Sequence, residues 1–186
     1  MSAGRGPRVI AYIGIGSNQG ERPRVCREAA AALAALPCTR LAALSPWYET
    51  EPLDGAGPAW FINAVAALET GLEAGLLLAE LQRLENLAGR SAERALGMNR
   101  TLDLDLLLYG GTVRAGAPPV VPHPRLHLRR FVLAPLCDVA PDAVHPVTGR
   151  TARELLGALG ETGPIVRRME GSRALPAAAG ISRGAA

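Results

Sequence analysis

The chain has 186 residues, 48% hydrophobic and 20% charged, which favours one globular domain with a core of its own. All 20 basic residues are arginine, which excludes the lysine-containing phosphate loop of P-loop proteins and the ATP lysine of protein kinases. A formal net charge of +3 is too small to indicate a nucleic-acid partner, and no apolar run is long enough to span a membrane.

The cysteines and the N-terminus bear on the cellular compartment. Cys26, Cys38 and Cys137 are odd in number and lack the spacing of a metal site. The N-terminal residues lack the apolar stretch of a secretory signal. We therefore expect a cytoplasmic protein with reduced thiols and no membrane association.

The hydrophobic pattern predicts strands and helices in the order β-α-β-β-α-β. In chain order these are a strand at 8–16 ending in the loop Gly16-Ser17-Asn18, a helix at 22–36, strands at 39–50 and 60–70 around a Gly/Pro-rich loop at 51–59, a helix at 73–89, and a leucine-rich strand within 100–111. Short helices are expected within 120–141 and at 151–159, and a disordered tail from 171. This order predicts a single α+β domain at 8–170, a ferredoxin-like sandwich in which helices pack on one face of an antiparallel sheet.

The leucine-rich strand "RTLDLDLLLYGG" (100–111) contains two acidic residues. Because side chains alternate across a strand, Asp103 and Asp105 share one face, with Cα atoms about 6.5–7 Å apart. The opposite face is expected to hold the leucines, Leu102, Leu104, Leu106 and Leu108. Mg²⁺ prefers oxygen ligands and would relieve the repulsion between the carboxylates. The alternative is a sheet face on which the aspartates are solvated or paired with arginine.

Basic residues near this pair favour the metal interpretation. Arg90, Arg94 and Arg100 crowd the preceding loop, and the forked guanidinium group suits phosphate oxygens. His123, between two prolines, is suited to donate a hydrogen bond to phosphate, although a solvent-facing loop histidine has the same signature. The pattern predicts a site for metal and polyphosphate.

Two further pairs of residues have weaker signatures. Phe61 and Asn63 share one face of the strand 60–70, which suits a flat heterocycle, but an ordinary core aromatic and a strand-end asparagine give the same pattern. Gln82 and Glu85 share one flank of the helix 73–89, where polar residues are usually solvated.

Six ordered blocks, spanning about residues 9–146, resemble the 6-hydroxymethyl-7,8-dihydropterin pyrophosphokinase family of folate biosynthesis. They are "AYIGIGSNQGER", "SPWYETEPL", "FINAVAALET", "LQRLENLAGR", "RTLDLDLLLYG" and "VPHPRLHLRRFVLAPL". The resemblance implies a ferredoxin-like α+β fold and transfer of the pyrophosphate of ATP to the hydroxymethyl group of a reduced pterin, with release of AMP. It implies small-molecule substrates and two Mg²⁺ ions.

The resemblance also implies roles for single residues. Asp103 and Asp105 match the metal ligands, and with Arg90 and Arg100 they form the implied catalytic set. The positions that match residues around ATP are Gln82, Glu85, Arg100, His123 and Arg129. The positions that match residues around the pterin are the aromatic pair Phe61 and Phe131, the edge-recognising Thr50, Leu53 and Asn63, and the neighbouring loop residues Gly16 and Asn18.

The chain departs from the family pattern in the arginine-bearing loop. Gly97-Met98-Asn99 stands where many members have Trp-Gly-Pro, and Ala92 and Leu96 stand at basic positions. These changes affect adenine packing and loop closure more than the metal ligands. Three alternatives stay open: a Mg²⁺-dependent nucleotidyltransferase or phosphohydrolase, a non-catalytic ferredoxin-like RNA-binding or regulatory module, and a pseudoenzyme that binds its ligands without turnover.

Overall fold

The computed structural model describes residues 7–52, 59–89, 101–160 and 163–175. Its elements are β1 (Val9–Ser17), α1 (Arg22–Ala34), β2 (Thr39–Leu44), β3 (Tyr48–Thr50), β4 (Phe61–Thr70), α2 (Ala74–Leu87), β5 (Asp103–Tyr109), α3 (Arg130–Val139), α4 (Ala152–Ala158) and β6 (Val166–Arg168). A 3₁₀ turn at Leu126–Leu128 precedes α3.

The six strands form one antiparallel sheet in the order β5-β1-β4-β3-β6, with β2 also paired to β4. β1 lies between β4 and β5, so the N-terminal and leucine-rich strands are neighbours. Within the described ranges, β5 is an edge strand with a strand partner on one side only. The two acidic residues of β5 therefore lie near an open edge of the sheet.

The first face of the sheet is covered by α1 and α2. The alanine-rich helix α1 begins with a proline in its first turn and buries Ala29 and Leu33 against the sheet. α2 buries its leucine stripe, including Leu77 and Leu81, in the same cluster. The predicted α+β sandwich with an antiparallel sheet is confirmed.

Part of the second face is covered by α3 and α4, which follow the βαββαβ unit in the chain. Leu133 and Leu136 of α3 and Leu155 of α4 are buried in one cluster with Leu107 of β5. Helices therefore lie on both faces of the sheet. The sequence predicted α3 and α4 as short helices, but the expectation that all helices pack on one face is wrong. Val65 of β4 and Leu107 and Leu108 of β5 are the apolar residues of the second face that lie in this cluster.

A β-bulge in the β1–β5 pairing changes the face of one leucine. The register shifts between Tyr12 and Ile13, and Leu108 lies opposite Tyr12. Leu108 is buried with Leu107 against α3 and α4. Its predicted placement beside the other leucines is wrong, because strict alternation does not continue across a bulge. Those other leucines are in the first cluster as predicted: Leu102, Leu104 and Leu106.

The boundaries of two predicted strands also differ. The strand at 39–50 is divided into β2 and β3 around Pro46, which has no N–H to donate to a ladder. β1 extends to Ser17, so Gly16 lies within the strand rather than in a loop. In the segment predicted as a tail, Leu175 N donates to Leu44 O at 2.9 Å. Residues 176–186 lie outside the described residues.

Candidate active site

Residues of three strands meet at one end of the second face. Gly16 of β1 pairs with Asn63 of β4 on one side and with Asp103 of β5 on the other. Gly14, in the next row, pairs with Asp105. Because neighbouring strands are about 4.7–4.9 Å apart, the backbones at Asn63 and Asp103 lie about 9–10 Å apart, with a glycine between them.

The two glycines leave the floor of this area without side chains. A Cβ atom at Gly16 would lie 3.0 Å from Asn63 Oδ1 and 3.8 Å from Asp103 Cβ. A Cβ atom at Gly14 would lie 3.7 Å from Asp105 Cβ. Sequence reasoning passed over Gly14, although glycines two residues apart in a strand signal close approach of another group on that face.

Asp103 and Asp105 are partly exposed, and Leu104, between them, is buried. Leu104 N donates to Glu85 Oε1 at 2.9 Å, and Glu85 of α2 is buried. Glu85 was predicted only as a flanking polar residue of its helix, with a match to a family position around ATP. In the structure its carboxylate bonds the backbone of β5.

His123 lies beside the carboxylates. Its backbone N donates to Leu107 O at 2.8 Å, which holds the 122–125 loop against β5. Nε2 lies 4.0 Å from Asp105 Oδ2, while Nδ1 accepts the Arg125 N–H at 3.2 Å, so the proton of the neutral ring is on Nε2. Burial lowers the pKa of His123, and Arg129 and Arg125 lower it further, against the opposing effect of Asp105.

Thr50 and Asn63 form a hydrogen-bonded pair next to Gly16. Asn63 Nδ2 donates to the buried Thr50 Oγ1 at 2.6 Å, which fixes the orientation of the amide group. Phe61, partly buried, pairs with Thr50 in the β3–β4 ladder and is two residues from Asn63, so it projects to the same face. The arrangement offers amide and hydroxyl groups beside an aromatic ring.

The other predicted residues have varied surroundings. The Arg129 guanidinium lies 5.5 Å from the ring centre of the partly buried Phe131, at the start of α3. Gln82 is exposed on α2, one turn before Glu85. Asn18 is buried just after β1. Four predicted residues lie outside the described residues: Leu53, Arg90, Arg94 and Arg100.

A second polar cluster lies next to Asn18 and was not anticipated. A cavity of about 470 Å³ is lined by Asn18, Arg22, Glu49, Ala59, Trp60 and Arg167. Glu49 is hydrogen-bonded by Arg167 at 2.7 Å and by Arg22 at 3.5 Å, and the Arg167 guanidinium lies 4.9 Å from the Trp60 ring centre. Since both arginines are already bound to Glu49, the paired carboxylates are the better candidate for phosphate chemistry.

The carboxylate pair fits a magnesium ion that is shared with a substrate. The carboxylates of Asp103 and Asp105 project beside Gly16 and Gly14, where an added Cβ atom would take up part of the space. The imidazole N–H of His123 lies beside them. Within the described ranges, no group of three or more His, Cys, Asp or Glu side chains is arranged to hold an ion. Mg²⁺ typically takes one or two protein carboxylates and completes its shell with water and phosphate oxygens, which matches this donor set.

Comparison with known proteins gives the class of protein. The family model for 7,8-dihydro-6-hydroxymethylpterin-pyrophosphokinase matches residues 12–141. A 2-amino-4-hydroxy-6-hydroxymethyldihydropteridine pyrophosphokinase from Pseudomonas aeruginosa is 44% identical over 147 residues, 79% of this chain and 90% of that protein. The folic acid synthesis protein fol1 of Schizosaccharomyces pombe is 36% identical over 154 residues, 83% of this chain and 21% of that protein.

A solved structure shows the same fold. The HPPK-DHPS of Plasmodium falciparum with pteroate has a TM-score of 0.64 and 15% identity, over 85% of this chain and 43% of that one. The chain therefore spans less than half the length of that protein, and the likeness concerns the fold. Taken with the family model and the identity to the curated relatives, the chain belongs to the 7,8-dihydro-6-hydroxymethylpterin-pyrophosphokinase family, whose kinase reaction takes ATP as co-substrate.

Proposed function

We propose that this chain transfers the pyrophosphate group of ATP to the hydroxymethyl group of 6-hydroxymethyl-7,8-dihydropterin and releases AMP, as a step of folate biosynthesis. One observation supports this above the others: the row Asn63–Gly16–Asp103 across the sheet. It sets a recognising amide and a carboxylate about 9–10 Å apart on a flat floor, a span suited to a bicyclic ring with a one-carbon arm.

The pterin occupies the Asn63 side of this floor. The Asn63 amide, oriented by Thr50, and the Thr50 hydroxyl face the edge of the ring, where paired donors and acceptors are needed. Phe61 and Phe131 stack on the ring faces, Gly16 allows close approach, and Asn18 completes the surroundings. Leu53, outside the described residues, stays a predicted pterin contact. The hydroxymethyl arm then points towards Asp103.

Asp103 and Asp105 would hold two Mg²⁺ ions on the carboxylate side, where the triphosphate binds. When bound, the ions supply positive charge to the phosphate oxygens and make the pterin hydroxyl more acidic. His123 donates its Nε2–H to a phosphate oxygen, and Arg129 adds a guanidinium. Gln82, an exposed residue of α2, stays a predicted ATP-site residue, and Arg90 and Arg100, outside the described residues, stay predicted phosphate ligands.

The reaction is an in-line displacement: the pterin hydroxyl oxygen bonds to the β-phosphorus while the bond from that phosphorus to the α,β-bridging oxygen breaks. AMP leaves with the bridging oxygen, and the hydroxyl proton passes to water. The contribution of the chain is to position the two reactants and to stabilise charge on the transferred group. The rigid floor of β1, β4 and β5 places the hydroxymethyl and triphosphate groups on one surface.

We also propose that this single domain, 8–170, works in the cytoplasm on small molecules and without a nucleic-acid partner. All three cysteines are free thiols, as is typical of a reducing compartment. Two acidic residues occupy the open part of the sheet face, which disfavours contact with a phosphate backbone. In the described part of the chain, no helix is both long and apolar enough to cross a bilayer.

Analysis of the nucleotide products tests the proposal. The purified chain is incubated with ATP, Mg²⁺ and 6-hydroxymethyl-7,8-dihydropterin, and nucleotides and pterins are resolved chromatographically. We expect equal amounts of AMP and a diphosphorylated pterin. ADP indicates ordinary kinase or phosphohydrolase chemistry, a nucleotide joined to the pterin indicates a nucleotidyltransferase, and ligand binding without turnover indicates a pseudoenzyme. Each of these three results contradicts the proposal.

A further inference from the structure

Glu85 is a buried acidic residue in an apolar helix face. Only 2% of its surface is exposed, and it lies on α2 directly after the core residue Leu84. Among the described residues it is the one buried carboxylate. Burial of a carboxylate is unfavourable unless hydrogen bonds replace those it made to water. The contacts of Glu85 must therefore offset its loss of hydration.

The compensation includes a bond to the strand that bears the two aspartates. Glu85 Oε1 accepts the N–H of Leu104 at 2.9 Å, and Leu104 lies between Asp103 and Asp105. Among the described strands, β5 lies at the edge of the sheet and pairs with β1 alone. In an antiparallel ladder alternate N–H groups point away from the partner strand, so an edge strand leaves them without a ladder acceptor. Glu85 supplies that acceptor for Leu104, the residue between the two aspartates.

Glu85 lies on the opposite side of β5 from the side chains of the two aspartates. It projects from α2, whose leucines pack on the first face of the sheet together with Leu104. Asp103 and Asp105 project from the opposite face, where Gly16 and Gly14 form the floor. From the α2 side, the Glu85 carboxylate reaches the backbone of β5, whereas the aspartate side chains project from the other face.

We infer that Glu85 is a positioning residue, which fixes the spacing of Asp103 and Asp105 through the Leu104 amide, rather than a residue that contacts ATP. The inference rests on the proposed function, because it gives the two aspartates the role of metal ligands. A charged acceptor makes a stronger hydrogen bond than a neutral one, and groups that hold metal ligands in place affect metal affinity by about 10- to 100-fold.

Two substitutions test this role, with a third as a control. Glu85→Leu removes the acceptor, Glu85→Gln keeps a neutral acceptor, and Glu80→Gln changes a surface acid of the same helix that pairs with Arg83. Two quantities are measured besides turnover. One is hydrogen exchange of the Leu104 amide in the metal-free protein, and the other is binding of Mn²⁺ in the presence of a non-hydrolysable ATP analogue.

We expect Glu85→Leu to speed Leu104 exchange at least about tenfold and to weaken Mn²⁺ binding by about 10- to 100-fold, with kcat partly restored by excess Mg²⁺. Glu85→Gln gives a smaller change in the same two quantities, about two- to fivefold, and Glu80→Gln leaves both unchanged. If Glu85→Leu does not fold, the paired changes in Glu85→Gln decide the question.

Two results overturn the inference: unchanged Leu104 exchange in both variants, or weaker binding of the metal-free ATP analogue with Mn²⁺ affinity intact. The second result would make Glu85 a nucleotide contact. Failure of the proposed function is distinguishable, because it appears in the wild-type products. If the wild-type chain forms no AMP, the proposed reaction is contradicted. If Glu85→Leu nevertheless speeds Leu104 exchange, the hydrogen bond from the Leu104 amide to Glu85 still holds β5 in place.

Discussion

The second face of the sheet has two ends built on the same strands, and they differ in what covers them. At the open end, defined by Asn63, Gly16, Gly14, Asp103 and Asp105, side chains are small or polar. At the covered end, defined by Tyr12, Val65, Ala67, Leu107 and Leu108, they are apolar and pack against neighbouring residues, including those of α3 and α4.

The contrast shows how one β-ladder supports both stability and chemistry. β1 pairs with β4 and β5 from one end to the other. The β1–β5 register shifts at a bulge at Leu107, near the boundary between the two ends. Apolar burial at the covered end is the favourable term that holds the strands in place. The open end can then present two like charges and bare glycines, which contribute little burial of their own.

The largest expected effect comes from removing a carboxylate at the open end. Asp105→Ala or Asp103→Ala is expected to lower kcat by about 10³-fold, because the lost metal ligand supplies several kcal/mol of charge stabilisation. Steady-state formation of AMP at saturating substrates measures the loss, and the unfolding temperature should change little. Asp142→Ala, an exposed acid paired with Arg153, is the control. Near-normal turnover in either site variant would exclude the metal-ligand role.

At the covered end, a substitution should lower the stability of the fold and leave turnover nearly unchanged. Leu107→Ala removes a fully buried side chain and should lower the free energy of unfolding by about 3 kcal/mol, since it leaves a cavity against α3 and α4. Urea denaturation measures this change. The kcat of the folded fraction should stay within about twofold, because the open end keeps its ligands.

A surface leucine provides the matched control for that variant. Leu76 of α2 is 58% exposed, and Leu76→Ala should change the free energy of unfolding by less than about 0.5 kcal/mol. If Leu107→Ala lost turnover as strongly as the aspartate variants while remaining folded, the division of stability and catalysis between the two ends would be wrong.

The sequence predicted the fold well where hydrophobic patterns are local. The alternation of β5 placed Asp103 and Asp105 on one face, and the leucine stripe of α2 predicted its buried side. The face of Leu108 was not predictable, because a bulge is set by the pairing of β5 with β1 and leaves no mark in the leucine run. The sequence predicted the short helices within 120–141 and at 151–159 but not their position on the second face, because their apolar partners lie on three separate strands.

The site was only partly accessible from sequence. The acidic pair and the asparagine are visible as residue types, but their distance depends on the cross-strand register through Gly16. The Glu85–Leu104 bond joins a helix to an edge strand 19 residues later, and a helix pattern alone shows Glu85 as an ordinary flanking acid. Non-local hydrogen bonds of this kind require the tertiary structure.

The smallest expected effect compares the two glycines of the open end. A Cβ atom at Gly16 would lie 3.0 Å from Asn63 Oδ1, tighter than ordinary contact, so Gly16→Ala should displace the amide and weaken its 2.6 Å bond to Thr50. We expect KM for the pterin to rise about tenfold, equivalent to about 1.4 kcal/mol, with a smaller change in kcat. Gly14→Ala places its Cβ atom 3.5 Å from Leu107 Cδ2, an ordinary contact, and should change KM by less than about threefold. Equal effects of the two substitutions, or an unchanged KM in Gly16→Ala, would show that the Asn63 side of the floor does not recognise the pterin.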